Sequence, residues 1–118
     1  MDLKEITENQ RKFDLEHGWI WDVDDEKQLL ERLKYVAIAI NGEAGEFANI
    51  LKKSMREDFP EGKLPSAEKM KEMKRELVDI FIYTIIASTA MKMDLEKEYL
   101  EKMETLRERF KKFEGEKK

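Results

Sequence analysis

Glu43 and Glu46 fall inside the apolar stretch VAIAINGEAGEFANIL, and Glu76 and Asp79 inside ELVDIFIYTIIA, each pair three positions apart. On a helix, positions i and i+3 lie roughly 60° apart around the axis, so each pair projects two acids from one face. An ionised carboxylate among apolar side chains is normally paired, hydrogen-bonded or bound to a metal. Lys52, Lys53, Lys74 and Arg75 flank the two stretches, but neither stretch contains a basic residue. The spacing therefore predicts a divalent-cation site. Hard oxygen donors favour Mg²⁺, with Mn²⁺ as the alternative, and Mg²⁺ commonly also binds substrate phosphates. The corresponding chemistry is metal-assisted hydrolysis of a phosphoanhydride, with Glu43, Glu46, Glu76 and Asp79 as catalytic and metal-binding residues.

Other metals fit poorly. The chain has no cysteine, and its single histidine, His17, lies in a different segment, which argues against zinc. A di-iron carboxylate bundle needs Glu-x-x-His motifs, and none is present. One Glu-x-x-Glu in a chain rich in Lys and Glu is usually just solvated helix surface. The expectation rests on two such pairs at the apolar centres of two segments. Gly42 and Gly45 flank Glu43 although glycine costs up to about 1 kcal/mol relative to Ala in a helix interior. Close approach of a helix or ligand, or tight packing, would account for them.

The elements that must position these acids are helices. Two prolines, five glycines and no sustained alternation of apolar and polar residues predict an all-α chain. A first helix is expected from about Asp2 to Glu16, with Leu3, Ile6 and Phe13 near one face, followed by the aromatic loop Trp19-Ile20-Trp21. Asp24 or Asp25 is suited to cap a second helix with the stripe Leu33, Val36, Ile40, Ala44, Phe47 and Leu51, running to about Ser54. REDFPEGKLPS is the one long connection. Ser66 caps a third helix, which is apolar on most sides from Leu77 to Met91, and Asp94 caps a fourth with the stripe Leu95, Tyr99, Met103, Leu106, Phe110 and Phe113. Met70, Met73, Met91 and Met103 are expected as core filler. A four-helix-bundle-like subunit of this size cannot wrap its central helix, so a homodimer or larger assembly is expected. The terminal FEGEKK should fray.

Bulk properties narrow the function classes. At 118 residues the chain is expected to form a single domain over 1–118. Charged residues make up 42% of it with a net charge of −4, interleaved in sign, which argues against a nucleic-acid polymer as partner. The apolar runs are shorter than the ~20 residues needed to span a bilayer, and the N-terminus is too polar for a signal peptide. No membrane association and a cytoplasmic location are expected.

With both acid pairs in context, the sequence resembles the MazG-like nucleotide pyrophosphohydrolases, the all-α NTP pyrophosphatase superfamily. The resemblance spans about residues 13 to 110. It rests on Glu43-Ala-Gly-Glu46 within GEAGEFANILKK, on Glu76-Leu-Val-Asp79 within ELVDIFIYTI, and on the upstream FDLEHGW. It implies a helical-bundle dimer or tetramer that cleaves a nucleoside triphosphate between its α and β phosphates, giving a monophosphate and pyrophosphate with Mg²⁺, often to clear unwanted nucleotides. A dUTPase or a phosphoribosyl-ATP pyrophosphatase would use the same acids with another base pocket. A noncatalytic helical oligomer, regulatory or scaffolding, is the alternative from a different class.

The family's last helix usually carries a Lys, an Asn and an Arg at helical spacing. Here Lys102 and Arg109 match, while Leu106 stands at the Asn position. Lys102 and Arg109 are thereby candidates for substrate phosphate. For the base, Trp19 and Trp21 could stack, and His17 or Asn41 could hydrogen-bond. Tyr83, one turn after Asp79, could support that carboxylate or pack.

Overall fold

In the computed structural model, which describes residues 1–57 and 62–113, four helices follow one another: α1 (Leu3–Glu16), α2 (Glu26–Glu57), α3 (Ala67–Ala90) and α4 (Leu95–Arg109). Each begins at a side-chain oxygen that satisfies a free backbone N–H of the first turn. Asp2 accepts from the Glu5 amide at 2.9 Å, Asp25 from Gln28 at 2.9 Å, Ser66 from Lys69 at 3.2 Å and Asp94 from Lys97 at 3.1 Å. Between the two candidates at the start of α2, it is thus Asp25 that caps. Asp24 instead pairs with Lys92, just beyond α3, which holds the Asp24 carboxyl below its usual range. Helix α2 continues one turn past its expected end at Ser54. The centre of the proline-containing connection, 58–61, and the tail, 114–118, lie outside the described residues.

The long helices α2 and α3 form the main packing pair; α1 lies against α3, and α4 against α1. Val36 on α2 and Ile85, Ile86 and Ala90 on α3 form the fully buried apolar centre. The stripes behave only partly as expected. Leu33, Ile40, Phe47 and Leu51 are half-buried, whereas Ala44 is exposed. As expected of so short a chain, helix α3 is not covered on all sides within one subunit: Leu77, Val78 and Phe81 are 56%, 55% and 42% exposed. Met70 and Met91, expected in the core, are also exposed, as are Tyr99, Phe110 and Phe113 of the last stripe. Among the described residues, no helix is long and apolar enough to cross a membrane.

The subunit is open for its size. Its radius of gyration is 18.5 Å, against roughly 13–14 Å for a compact domain of this length. Its accessible surface is 9447 Å², against about 6,700 Å² for a folded monomer of this mass. With so thin a centre, single core side chains matter. Ile85→Ala, at a position 1% exposed, is expected to cost roughly 2–5 kcal/mol, read as a fall in the urea unfolding midpoint.

Candidate metal centre and adjoining cavity

The acid pairs meet because α2 and α3 pack along their apolar stretches and the three-residue spacing turns both pairs toward the seam, with Glu43, Glu76 and Asp79 half-buried and Glu46 exposed at its edge. Carboxylate oxygens of Glu43 and Glu46 from α2 and of Glu76 from α3 all lie within 4.8 Å of one another. Asp79 is not part of that tight group, but its charge acts on both Glu46 and Glu76, and it lines the same cavity as Glu43. The predicted four-acid cluster is therefore three crowded carboxylates with the fourth at its edge.

Crowding has an electrostatic signature. The Glu76 carboxylate, close enough to share a proton, pushes the Glu46 carboxyl above its usual range. Glu43, followed by burial, does the same to Glu76. One oxygen each of Glu43 and Glu76, both Oε2, is buried without a hydrogen-bond partner. Buried acceptors are ordinarily satisfied, and like charges this close ordinarily repel. A cation answers both deficits. The donor set, all carboxylate oxygen, suits Mg²⁺ or Mn²⁺. Among the described residues no other element closes on Gly42 or Gly45, since a Cβ added at either would meet nothing within 4 Å beyond its own helix backbone. Packing inside one subunit therefore does not explain them.

A cavity of about 690 Å³ adjoins the acids, with Glu43 and Asp79 in its wall, within the roughly 300–1,000 Å³ typical of small-molecule sites. Phe13, Trp19, Trp21, Tyr35 and Tyr83 supply aromatic lining, and Asp14 and Gln10 polar groups. Burial, then the Tyr35 hydroxyl and the carboxylates of Glu43 and Asp79, push the Tyr83 phenol up, so Tyr83 keeps its proton.

The aromatic wall is held by the loop after α1. Gly18 adopts φ +79°, a left-handed conformation that costs glycine little, and the chain turns back on α1 there. The Trp19 amide then donates to the Asp14 carbonyl at 2.9 Å, and the Trp21 indole Nε1 to Asp14 Oδ2 at 3.1 Å. Arg11 pairs with Asp22 at 3.0 Å, and Arg32 Nε donates to the Ile20 carbonyl at 2.9 Å. Trp21 and Tyr35 have ring centroids 5.7 Å apart.

Of the expected base contacts, Trp19 and Trp21 line the cavity, while His17 and Asn41 do not. His17 stacks on Trp19 at 5.4 Å, and its Nδ1 lies 2.7 Å from the Phe13 carbonyl, so it braces the loop. Asn41 is exposed on α2, two positions from Glu43 and hence about 200° around the axis from it. Lys102 and Arg109 are exposed on α4 and do not line this cavity; α4 packs mainly on α1.

Asp14, Gln10 and Tyr35 line the cavity without having been singled out from the sequence. Asp14 is 2% exposed. Burial pushes its carboxyl up, opposed by the hydrogen bonds from Gln10 and Trp21. An acid between Phe13 and Leu15 was the only hint. Comparison with protein-family models gave no match, and no curated protein proved similar to the chain.

Glu46, Glu76 and Asp14 all hold a proton more tightly in the folded than in the unfolded chain. Their contribution is therefore full below the unfolded carboxylate pKa and is lost as pH rises through the raised folded values. The metal-free protein should gain melting temperature as pH falls from neutrality into mild acid. Mg²⁺ or Mn²⁺ should raise the melting temperature at neutral pH, by an increment that shrinks on acidification as protons compete for the same oxygens. Glu76→Gln should raise the metal-free melting temperature at neutral pH and remove most of the metal increment; differential scanning fluorimetry reads both.

Proposed function

We propose that the chain is a Mg²⁺-dependent nucleoside triphosphate pyrophosphohydrolase of the MazG-like kind, converting a (d)NTP to (d)NMP and pyrophosphate, with house-cleaning of unwanted nucleotides as its role. The observation that carries this reading is the meeting of Glu43, Glu46 and Glu76, two of them with orphaned buried oxygens, beside an aromatic-walled cavity. Phosphate chemistry would take place at the acids, and a flat aromatic ring would fit the cavity.

Glu43, Glu46 and Glu76 would hold the cation, with Asp79 completing the negative ring. Bound there, Mg²⁺ would neutralise phosphate charge and lower the pKa of a nearby water. A carboxylate of the cluster orients the attacking water and takes its proton. The water oxygen forms a bond to one phosphorus of the α–β anhydride as the bridging P–O bond breaks, and the bridging electron pair departs with the leaving phosphate. Tyr83, protonated and beside Glu43 and Asp79, is placed to donate a hydrogen bond to a carboxylate or phosphate oxygen. Trp19, Trp21 and Tyr35 would take the base.

The working form is a homodimer or homotetramer. The excess surface, the large radius of gyration and the exposed face of Leu77, Val78 and Phe81 on α3 support a second copy there. The surface excess of roughly 2,700 Å² per subunit over a compact monomer exceeds the roughly 1,000–2,500 Å² that each partner of an obligate dimer buries, half of the roughly 2,000–5,000 Å² total. Lys102 and Arg109, remote from the cavity of their own subunit, would then contribute to phosphate binding only across such an interface. The same exposed faces also suit a noncatalytic oligomeric scaffold.

Pyrophosphate release from a panel of (d)NTPs separates enzyme from scaffold. Turnover should require Mg²⁺, and Asp79→Asn should reduce kcat/KM by at least about a hundredfold with unchanged helical circular dichroism. Intact substrates throughout would favour the scaffold. Light scattering after size exclusion should give a multiple of the 14.1 kDa chain mass, and Phe81→Asp should lower it.

A further inference from the structure

Asp14 is buried to 2% exposure in the wall of the cavity that also contains Glu43 and Asp79. A carboxylate this buried is normally matched by a cation. Its hydrogen-bonded side-chain partners are neutral, Gln10 Nε2 donating to Oδ1 at 3.0 Å and Trp21 Nε1 to Oδ2 at 3.1 Å, while His17 acts on it through charge without a hydrogen bond. Holding the indole alone would not require a charge, because an amide carbonyl also accepts from an N–H. A carboxylate offers about four acceptor positions. Two donors leave the remainder for a ligand N–H.

We infer that Asp14 is a specificity-determining residue whose carboxylate accepts an amino N–H of the base, so that the cavity prefers nucleotides of amino-bearing bases over those of uracil or thymine. This rests on the reading of the cavity as the base site. Cytosine, adenine and guanine each present an exocyclic amino group at the base edge. In uracil and thymine the one ring N–H of that edge lies between two carbonyl oxygens, which a carboxylate would meet as like partial charges. Gln10 and Trp21 hold the carboxylate in place before a ligand arrives, so little ordering cost remains at binding.

The chain's two tryptophans, Trp19 and Trp21, both line this cavity, so intrinsic fluorescence reports its occupancy directly. The decisive pair is dCMP against dUMP, which differ at this edge by the amino group and the adjoining ring nitrogen. Titrated with Mg²⁺ present, dCMP should bind at least about tenfold tighter than dUMP. In Asp14→Asn, which is isosteric and can still accept from Trp21, the ratio should fall to within about threefold, mainly through weaker dCMP binding. Equal affinities in the unaltered protein, absence of quenching by either nucleotide, or an unchanged ratio in Asp14→Asn would each overturn the assignment. Equal weakening of both ligands by that variant would reduce Asp14 to a loop anchor. The unaltered protein decides the first two outcomes even if the variant fails to fold. Nucleotide discrimination without pyrophosphate release would instead sink the hydrolase reading and leave the base site standing.

Discussion

Mutual repulsion among Glu43, Glu46 and Glu76 is the constraint on which this structure turns. Packing of α2 against α3 brings the three carboxylates together, and among the described residues no ion pair ties them to an arginine or lysine. The elevated proton affinity of Glu46 and Glu76 and the orphaned oxygens of Glu43 and Glu76 are consequences of that one arrangement. The arrangement costs stability locally and concentrates negative charge, a compromise often found where a site binds a cation. The rest of the seam must hold the acids in register against their own repulsion, which places the burden on Val36, Ile85 and Ile86.

A second tension concerns surface. The subunit buries few apolar side chains completely, while Ile38, Leu77, Val78 and Phe81 remain open. Conformational entropy opposes folding at about 1–2 kcal/mol per residue, and so small a centre opposes it weakly. A partner surface would supply the missing burial. It would also stiffen the helices that carry the acids, linking assembly to the geometry of the candidate metal centre.

The aromatic cavity owes its shape to Asp14. Its backbone carbonyl receives the Trp19 amide and its carboxylate the Trp21 indole, so one residue near the end of α1 fixes two rings of the loop that follows. Arg11 with Asp22 and Arg32 with the Ile20 carbonyl fasten the same loop to α1 and α2. Acid cluster and aromatic wall are thus positioned by separate means: helix packing for the first, and hydrogen bonds to a tight turn for the second.

Local chemistry was readable along the chain. Asp2, the pair Asp24 and Asp25, Ser66 and Asp94 marked the helix starts because a short side-chain oxygen at that position satisfies a first-turn amide wherever the helix later packs; only the structure chose Asp25 of its pair. The i, i+3 spacing of the acids fixed that each pair shares a face, since helical periodicity is a local property. Periodicity does not say which faces meet. That Glu43 and Glu46 would face Glu76 more closely than Asp79, and that α4 would follow α1 and carry Lys102 and Arg109 away from the cavity, depended on contacts between distant segments, whereas a partly uncovered α3 was already implied by an all-round apolar helix in so short a chain. Asp14 is the clearest case. Between Phe13 and Leu15 it looks like an ordinary polar helix residue, and it becomes a buried carboxylate because the chain turns at Gly18 and lays Trp21 across it.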